Sequence, residues 1–249
     1  MDVFYNLGVS GTDVGDYRYL LLTEGLHYRP DLVLVLFYLG NDFASTATPR
    51  FTDPNYWYLY FVPHRIVSVG LEARRQGVGM SAVAAQGVEQ WDLPYLKDPD
   101  LEPPTFSVEG YMDIERSWLR FFRKGGAGRR ESETFAALED IFDAARSRPG
   151  CRVAMVLAPA EFQVDDVHYR EVLQFLRYDP AQLDLDEPGR RLAAFCRERD
   201  VPCLDLTPAL REAHRSGRVY HLRDMHWNVR GNRAAAEAMA PFLVEVARR

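Results

Sequence analysis

The stretch "PDLVLVLFYLGND", Pro30–Asp42, decides how this chain of 249 residues is read. Leu32–Leu39 is a short apolar run rich in Val, Leu and Phe, opened by Pro30 and closed by Gly40-Asn41-Asp42. Its length and bounding turn residues fit a strand buried on both faces. Similar runs occur at Val3–Leu7, Val153–Leu157 and Cys203–Leu206. Between them lie helical periodicities: Val14, Tyr17 and Leu21 behind a Thr12/Asp13 cap, and Phe135, Leu138, Phe142 and Ala145 behind Ser132. Further helices are expected at Tyr169–Arg177, from Pro188 to Arg199, at Pro208–Arg215 and at Arg230–Ala247. Pro30 and Gly150 stop helices just ahead of strands, as βαβ units require. Strands alternating with helices imply an α/β fold, with a parallel sheet covered on both faces.

The chain is long enough for one domain with one sizeable core, so residues 1–249 are read as a single unit. Residues 44–130 break the strand–helix rhythm. They hold an aromatic run (Asn55–Ile66), a Gly/Ala-rich run (Gly77–Gly87) and a proline-rich turn (Leu93–Pro104). So long a departure reads as an insertion or cap rather than one loop. Its aromatics are read first as packing, with a pocket lining as the alternative.

A composition 47% hydrophobic and 27% charged is that of a globular chain. A net charge of -6, with its basic runs scattered, gives no footprint for nucleic acid. Three cysteines, Cys151, Cys196 and Cys203, cannot all pair; the first and last flank strand-like runs and read as small buried hydrophobes. The start, "MDVFYNLGVSG", has no signal-peptide pattern, and no apolar run is long enough to span a membrane. As written the chain reads as cytoplasmic, with an export signal or anchor further upstream left open. The oligomeric state is not readable.

In open α/β sheets ligands bind where the strands end. Three stretches lie there. "NLGVSGTD" follows the first run, and its Gly8 and Gly11 let a ligand approach backbone N–H groups. "LGNDF" follows the second, with Asn41 offering a side-chain amide and Asp42 bracing the turn. "RDMHWNVRGN", Arg223–Asn232, follows the fourth and puts Asp224 two residues before His226. Taken alone, each has a plain reading: glycines that turn, a loop by composition, an acid that caps a helix.

In this order the three stretches resemble the SGNH/GDSL family of serine esterases and acyl hydrolases. "NLGVSGTD" looks like its second block, "LGND" its third and "DMHWNVRGN" its fourth; "LDLTPALREA" and the final helix fit the same template. The resemblance covers roughly residues 2–42 and 151–249. It implies a three-layer α/β/α domain with a flavodoxin-like sheet. It also implies hydrolysis or transfer of an acyl ester through a serine acyl-enzyme, without cofactor. His226 would be the base and Asp224 its orienting acid. The Gly11 N–H and the Asn41 amide would be oxyanion donors, each worth about 3 kcal/mol when well aimed. The implied substrate is a small ester or an acylated carbohydrate or lipid. The competing class is a non-catalytic ligand-binding relative with the same cleft.

Two departures from the family stand out. One residue, Met225, separates Asp224 from His226, where the family's commonest block has two. No Gly-Asp-Ser occurs in the 249 residues; Gly15-Asp16-Tyr17 comes nearest, inside a helix. By order the nucleophile strand belongs upstream of "DVFYNLGVSG", central between Val3–Leu7 and Leu32–Leu39, so the chain as written is expected to be inactive. Without that strand those two would face a gap or pair directly. The competing readings are a degenerate relative that keeps the shape without the chemistry, and Ser10 as substitute nucleophile. Ser10 sits in "GVSGT", where Thr12 replaces the second glycine of Gly-x-Ser-x-Gly. His221, Asp224 and His226 lack a fourth ligand and a supporting partner, so no metal is expected there. His27, His64, His168 and His214 show no partner.

Overall fold

A computed structural model describes residues 3–9, 11–44, 74, 101–125 and 128–248. Ser10, His64, the aromatic run 55–66 and the Gly/Ala-rich run 77–87 lie outside them.

The apolar runs at the centre of the chain form strands. β1 (Leu32–Tyr38), β2 (Arg152–Ala158) and β3 (Cys203–Asp205) make a parallel sheet in the order β1-β2-β3. Leu32 pairs with Arg152 and Tyr38 with Ala158, and Met155 pairs with Cys203. Among the described residues eight helices accompany them: α1 (Val14–Thr23), α2 (Val108–Leu119), α3 (Arg129–Arg146), α4 (Glu161–Val164), α5 (Asp166–Leu176), α6 (Glu187–Glu198), α7 (Thr207–His214) and α8 (Val229–Arg248). The α/β class expected from the sequence holds.

Side chains alternate across a strand, so each strand feeds two layers. Val35, Phe37, Val153, Met155 and Leu157 join the larger core, with Leu21 of α1, Leu119 of α2, Leu138 and Phe142 of α3, and Phe195 of α6. Leu34, Val156 and Leu204 face the smaller core, with Leu210 of α7 and Ala235 of α8. Burying a side chain of this size stabilises by roughly 1.5–3 kcal/mol, so the periodicity of these strands sets the layering. β2, flanked on both sides, is buried from Val153 to Ala158, whereas Leu36 of β1 is 44% exposed. Full burial on both faces therefore holds for β2 and fails for β1.

Val3–Leu7 is not a strand. Val3 and Phe4 are 68% and 83% exposed, and Tyr5 stacks on Tyr28 instead of entering a sheet. Apolar alternation gives a segment the capacity to pair; the strand itself needs a neighbour to take its N–H and C=O groups. Among the described residues none pairs with it, and it does not add directly to β1.

Helix starts follow their caps. Asp13 accepts from the Gly15 N–H at 3.0 Å, while Asp16 accepts from the Asp13 N–H at 3.2 Å, closing a capping box on α1. α3 begins at Arg129, ahead of the expected Ser132; Gly128, at φ 61, makes the entry and Ser132 lies inside the helix. The described part of the expected insertion, residues 101–125, carries α2, whose Met112, Trp118 and Leu119 pack into the larger core. The three cysteines are free, with Cys196 buried and the other two partly so.

Candidate active site

Because the strands are parallel, their C-terminal ends share one edge. The turn after β1 lies there, and the loop between α7 and α8 is seated on the end of β2 through Tyr220 and Pro159.

After β1 the chain turns through Gly40-Asn41. Asp42, 1% exposed, accepts from the Tyr38 N–H at 2.6 Å and from the Tyr17 hydroxyl at 2.9 Å. The brace expected of Asp42 is present, and it ties this turn to α1. Gly40 is demanded by packing: a Cβ would lie 2.5 Å from the Tyr38 ring, which is itself set edge-on against Trp118. Asn41 is half-buried in that turn. Gly11 is exposed ahead of the α1 cap at φ 76, a conformation glycine adopts without strain.

The segment between α7 and α8, Val219–Asn228, is a closed loop. Tyr220 and Trp227 bridge antiparallel; the His221 N–H donates to the His226 carbonyl at 2.9 Å and the Asn228 N–H to the Val219 carbonyl at 3.0 Å. Asn228 closes it from inside. Its Oδ1 accepts from Arg230 and Gly231 N–H, capping α8, and its Nδ2 donates to the Arg218 and Tyr220 carbonyls. Gly231 follows because a Cβ there would meet the Val219 carbonyl oxygen at 2.1 Å. The Tyr220 hydroxyl donates to the Pro159 carbonyl at 2.6 Å, seating the loop on the end of β2. The cap of α8 is thus Asn228, and Asp224 is left for another partner.

That partner is His226. Its Nδ1 lies 2.6 Å from Asp224 Oδ1, which also accepts the His226 backbone N–H at 2.9 Å. Met225, between them, packs on the larger core, so the one-residue spacing turns acid and base the same way. The His226 side chain is 70% exposed and that of Asp224 15%. The hydrogen bond to Asp224 raises the imidazole pKa above its usual value against a smaller opposing effect of burial. Burial opposes ionisation of Asp224, but the His226 ring and backbone N–H, the imidazole charge and Thr105 outweigh it and bring the carboxyl down to about 2. A neutral imidazole held by Nδ1 leaves Nε2 as an acceptor on an exposed ring, the arrangement of a general base.

The loop is braced from residues 101–106. Glu102 accepts from the Leu222 N–H at 2.9 Å and hydrogen-bonds His221 Nδ1. The N–H groups of Thr105 and Phe106 donate to the carbonyls of Leu222 and Arg223. The sequence offers no signal for Glu102, since nothing local marks a contact of this span; Asn228 was findable as a preferred cap residue. His168 and His214, for which the sequence shows no partner, face Glu115 at 3.0 Å and Asp165 at 3.4 Å.

Residues 131–248 match the family model described as "SGNH hydrolase-like domain, acetyltransferase AlgX". This part of the chain is similar to an SGNH hydrolase-like domain. The match includes Asp224 and His226, while Gly11 and Asn41 lie ahead of it. An SGNH-type domain supports chemistry on ester groups in general. No curated protein and no solved structure matches the chain. Among the described residues, no helix is long and apolar enough to cross a membrane.

Proposed function

We propose that this protein hydrolyses or transfers the acyl group of a small ester or an acylated carbohydrate or lipid, through a serine acyl-enzyme. The observation that carries this reading is the Asp224–His226 pair: acid on Nδ1 at 2.6 Å, the imidazole exposed, on a loop closed at both ends. His226 takes the proton from the serine hydroxyl as the hydroxyl attacks the ester carbonyl, then returns it to the leaving alcohol. Asp224 stabilises the imidazolium between the two steps. The Gly11 N–H and the Asn41 amide, at the entrance to α1 and the end of β1, are the proposed donors to the oxyanion. The family description's acetyltransferase makes acetyl the first acyl group to test.

Two sources of the serine are tested: Ser10 within the 249 residues, and a family-type Gly-Asp-Ser strand supplied ahead of "DVFYNLGVSG". The test measures p-nitrophenyl acetate hydrolysis by the 249-residue chain and by the chain preceded by a strand ending in Gly-Asp-Ser, each with and without His226→Ala. Turnover in the second, lost with His226→Ala, is the expected result. Turnover already in the first, lost with Ser10→Ala, assigns the nucleophile to Ser10. Inactivity of both folded forms overturns the enzyme reading in favour of a ligand-binding relative.

A further inference from the structure

Away from the Asp224–His226 loop, α2, α4 and α5 bring three buried ionisable side chains together. Glu115 is fully buried, Glu161 is 7% exposed and His168 is 8% exposed. Each offers an oxygen or ring nitrogen within 4.8 Å of the others. His168 Nε2 lies 3.0 Å from Glu115 Oε1, and the Tyr111 hydroxyl donates to Glu161 Oε2. The Tyr111 and His168 rings stack at 5.4 Å, fixing the imidazole plane.

Two features are unexplained by packing. Among the described residues, Glu115 Oε2 is sealed from solvent with no hydrogen-bond partner, and the sealed Tyr38 hydroxyl also lacks one. A buried acceptor left open in a cluster that is otherwise bonded is a rare arrangement. Two carboxyl groups this close and away from water disfavour each other's ionisation, and a single imidazole offsets at most one charge. Carboxylate, carboxylate and imidazole form a three-ligand donor set suited to a first-row divalent cation.

We propose that Glu115, Glu161 and His168 form a binding site for a first-row divalent cation of the Zn2+ or Mn2+ class, with Tyr111 holding Glu161 in place. The Nε2 proton of His168 leaves as the cation takes that lone pair, and Glu115 Oε2 gains the partner it lacks. The bound ion cross-links α2, α4 and α5 beneath the β2–α4 connection on which Tyr220 seats the His226 loop. The site is independent of the ester chemistry, since none of its ligands belongs to that loop.

The experiment strips the 249-residue chain with a chelator and titrates it with ZnCl2 and MnCl2 by calorimetry, following thermal stability in parallel. One equivalent of cation, proton release and a higher Tm are expected. Glu115→Gln and His168→Ala lower affinity by roughly 100-fold, while His226→Ala binds as the parent does. Glu115→Gln preserves shape, so its circular dichroism shows whether a loss comes from the site or from unfolding. Should His168→Ala fail to fold, the d–d absorption of the Co2+-loaded parent reports the mixed nitrogen–oxygen coordination directly. The proposal is overturned if the folded parent takes up neither cation at millimolar concentration, or if uptake survives Glu115→Gln unchanged.

Discussion

Glu102 reaches across the chain to hold His221 by its Nδ1, and with its other carboxylate oxygen takes the Leu222 N–H at 2.9 Å. The consequence lies two residues further on, because Arg223 must adopt φ 50 before Asp224 can turn back toward His226. A non-glycine residue in that region is held there by its surroundings. Glu102→Ala leaves the Leu222 N–H without its acceptor, which costs about 1–3 kcal/mol. In the ester-hydrolysing form it is expected to lower kcat roughly 10- to 100-fold by letting the His226 ring drift. Glu102→Gln keeps an acceptor for that N–H and should recover most of the loss. Equal turnover in both variants and the parent would remove Glu102 as a positioning residue.

The Asp224–His226 pair predicts two pH effects of opposite sense. The imidazole binds its proton more tightly in the folded chain than the ordinary value of 6.5, so its contribution to stability is complete below 6.5. That contribution disappears as pH rises through the raised value. Asp224, held at about 2 against 3.8, stabilises above 3.8 and loses its contribution as pH falls toward 2. For a general base the same shift moves the acid limb of kcat/KM above 6.5. Asp224→Asn removes the charge that holds the proton. NMR titration of the His226 ring should then show its pKa lower than in the parent, and an unmoved titration would break the link between the two residues.

The closed loop depends on two residues whose side chains do no chemistry. Asn228 is 1% exposed and its amide makes four hydrogen bonds to Arg218, Tyr220, Arg230 and Gly231. Asn228→Ala removes a helix cap and leaves buried backbone groups unsatisfied, a loss of about 2–3 kcal/mol. In a chain of this size it lowers Tm by roughly 5–10 °C. Gly231→Ala pushes a methyl into the Val219 carbonyl and should destabilise at least as much, although alanine is the better helix former. A Gly231→Ala variant as stable as the parent would mean that α8 can slide away from the loop.

The sequence made the three parallel strands legible because their runs are apolar, short and bounded by Pro30, Gly40 and Gly150, signals carried by neighbours in the chain. The Asp224–His226 pairing came from the resemblance of "DMHWNVRGN" to the family's last block, because the stretch taken alone reads equally well as an acid capping a helix. Val3–Leu7 carries a similar apolar signal and forms no strand, because pairing is a property of the neighbour as much as of the segment. The bracing of the loop by Glu102, and the meeting of Glu115 with His168, are contacts between elements far apart in sequence. Periodicity reports which face of a helix is apolar and says nothing of which carboxylate lies opposite. Met112, Trp118 and Leu119 of α2 lie in a region read as an insertion, yet they pack in the larger core.

Asp42 offers the sharpest test of how the proposed oxyanion donors are held. Its carboxylate takes the Tyr38 N–H at 2.6 Å, closing the turn that presents Asn41, and the Tyr17 hydroxyl at 2.9 Å, fixing α1 and with it the approach from Gly11. Both bonds are to an acceptor shielded from water, so Asp42→Ala is expected to cost about 2–4 kcal/mol. Tyr17→Phe removes the α1 tether alone and costs about 1 kcal/mol. If the two donors act together, Tyr17→Phe should reduce kcat in the ester-hydrolysing form while leaving KM close to that of the parent, because the oxyanion exists only after attack. A change confined to KM would show instead that Tyr17 shapes substrate binding and that α1 plays no part in stabilising the transition state.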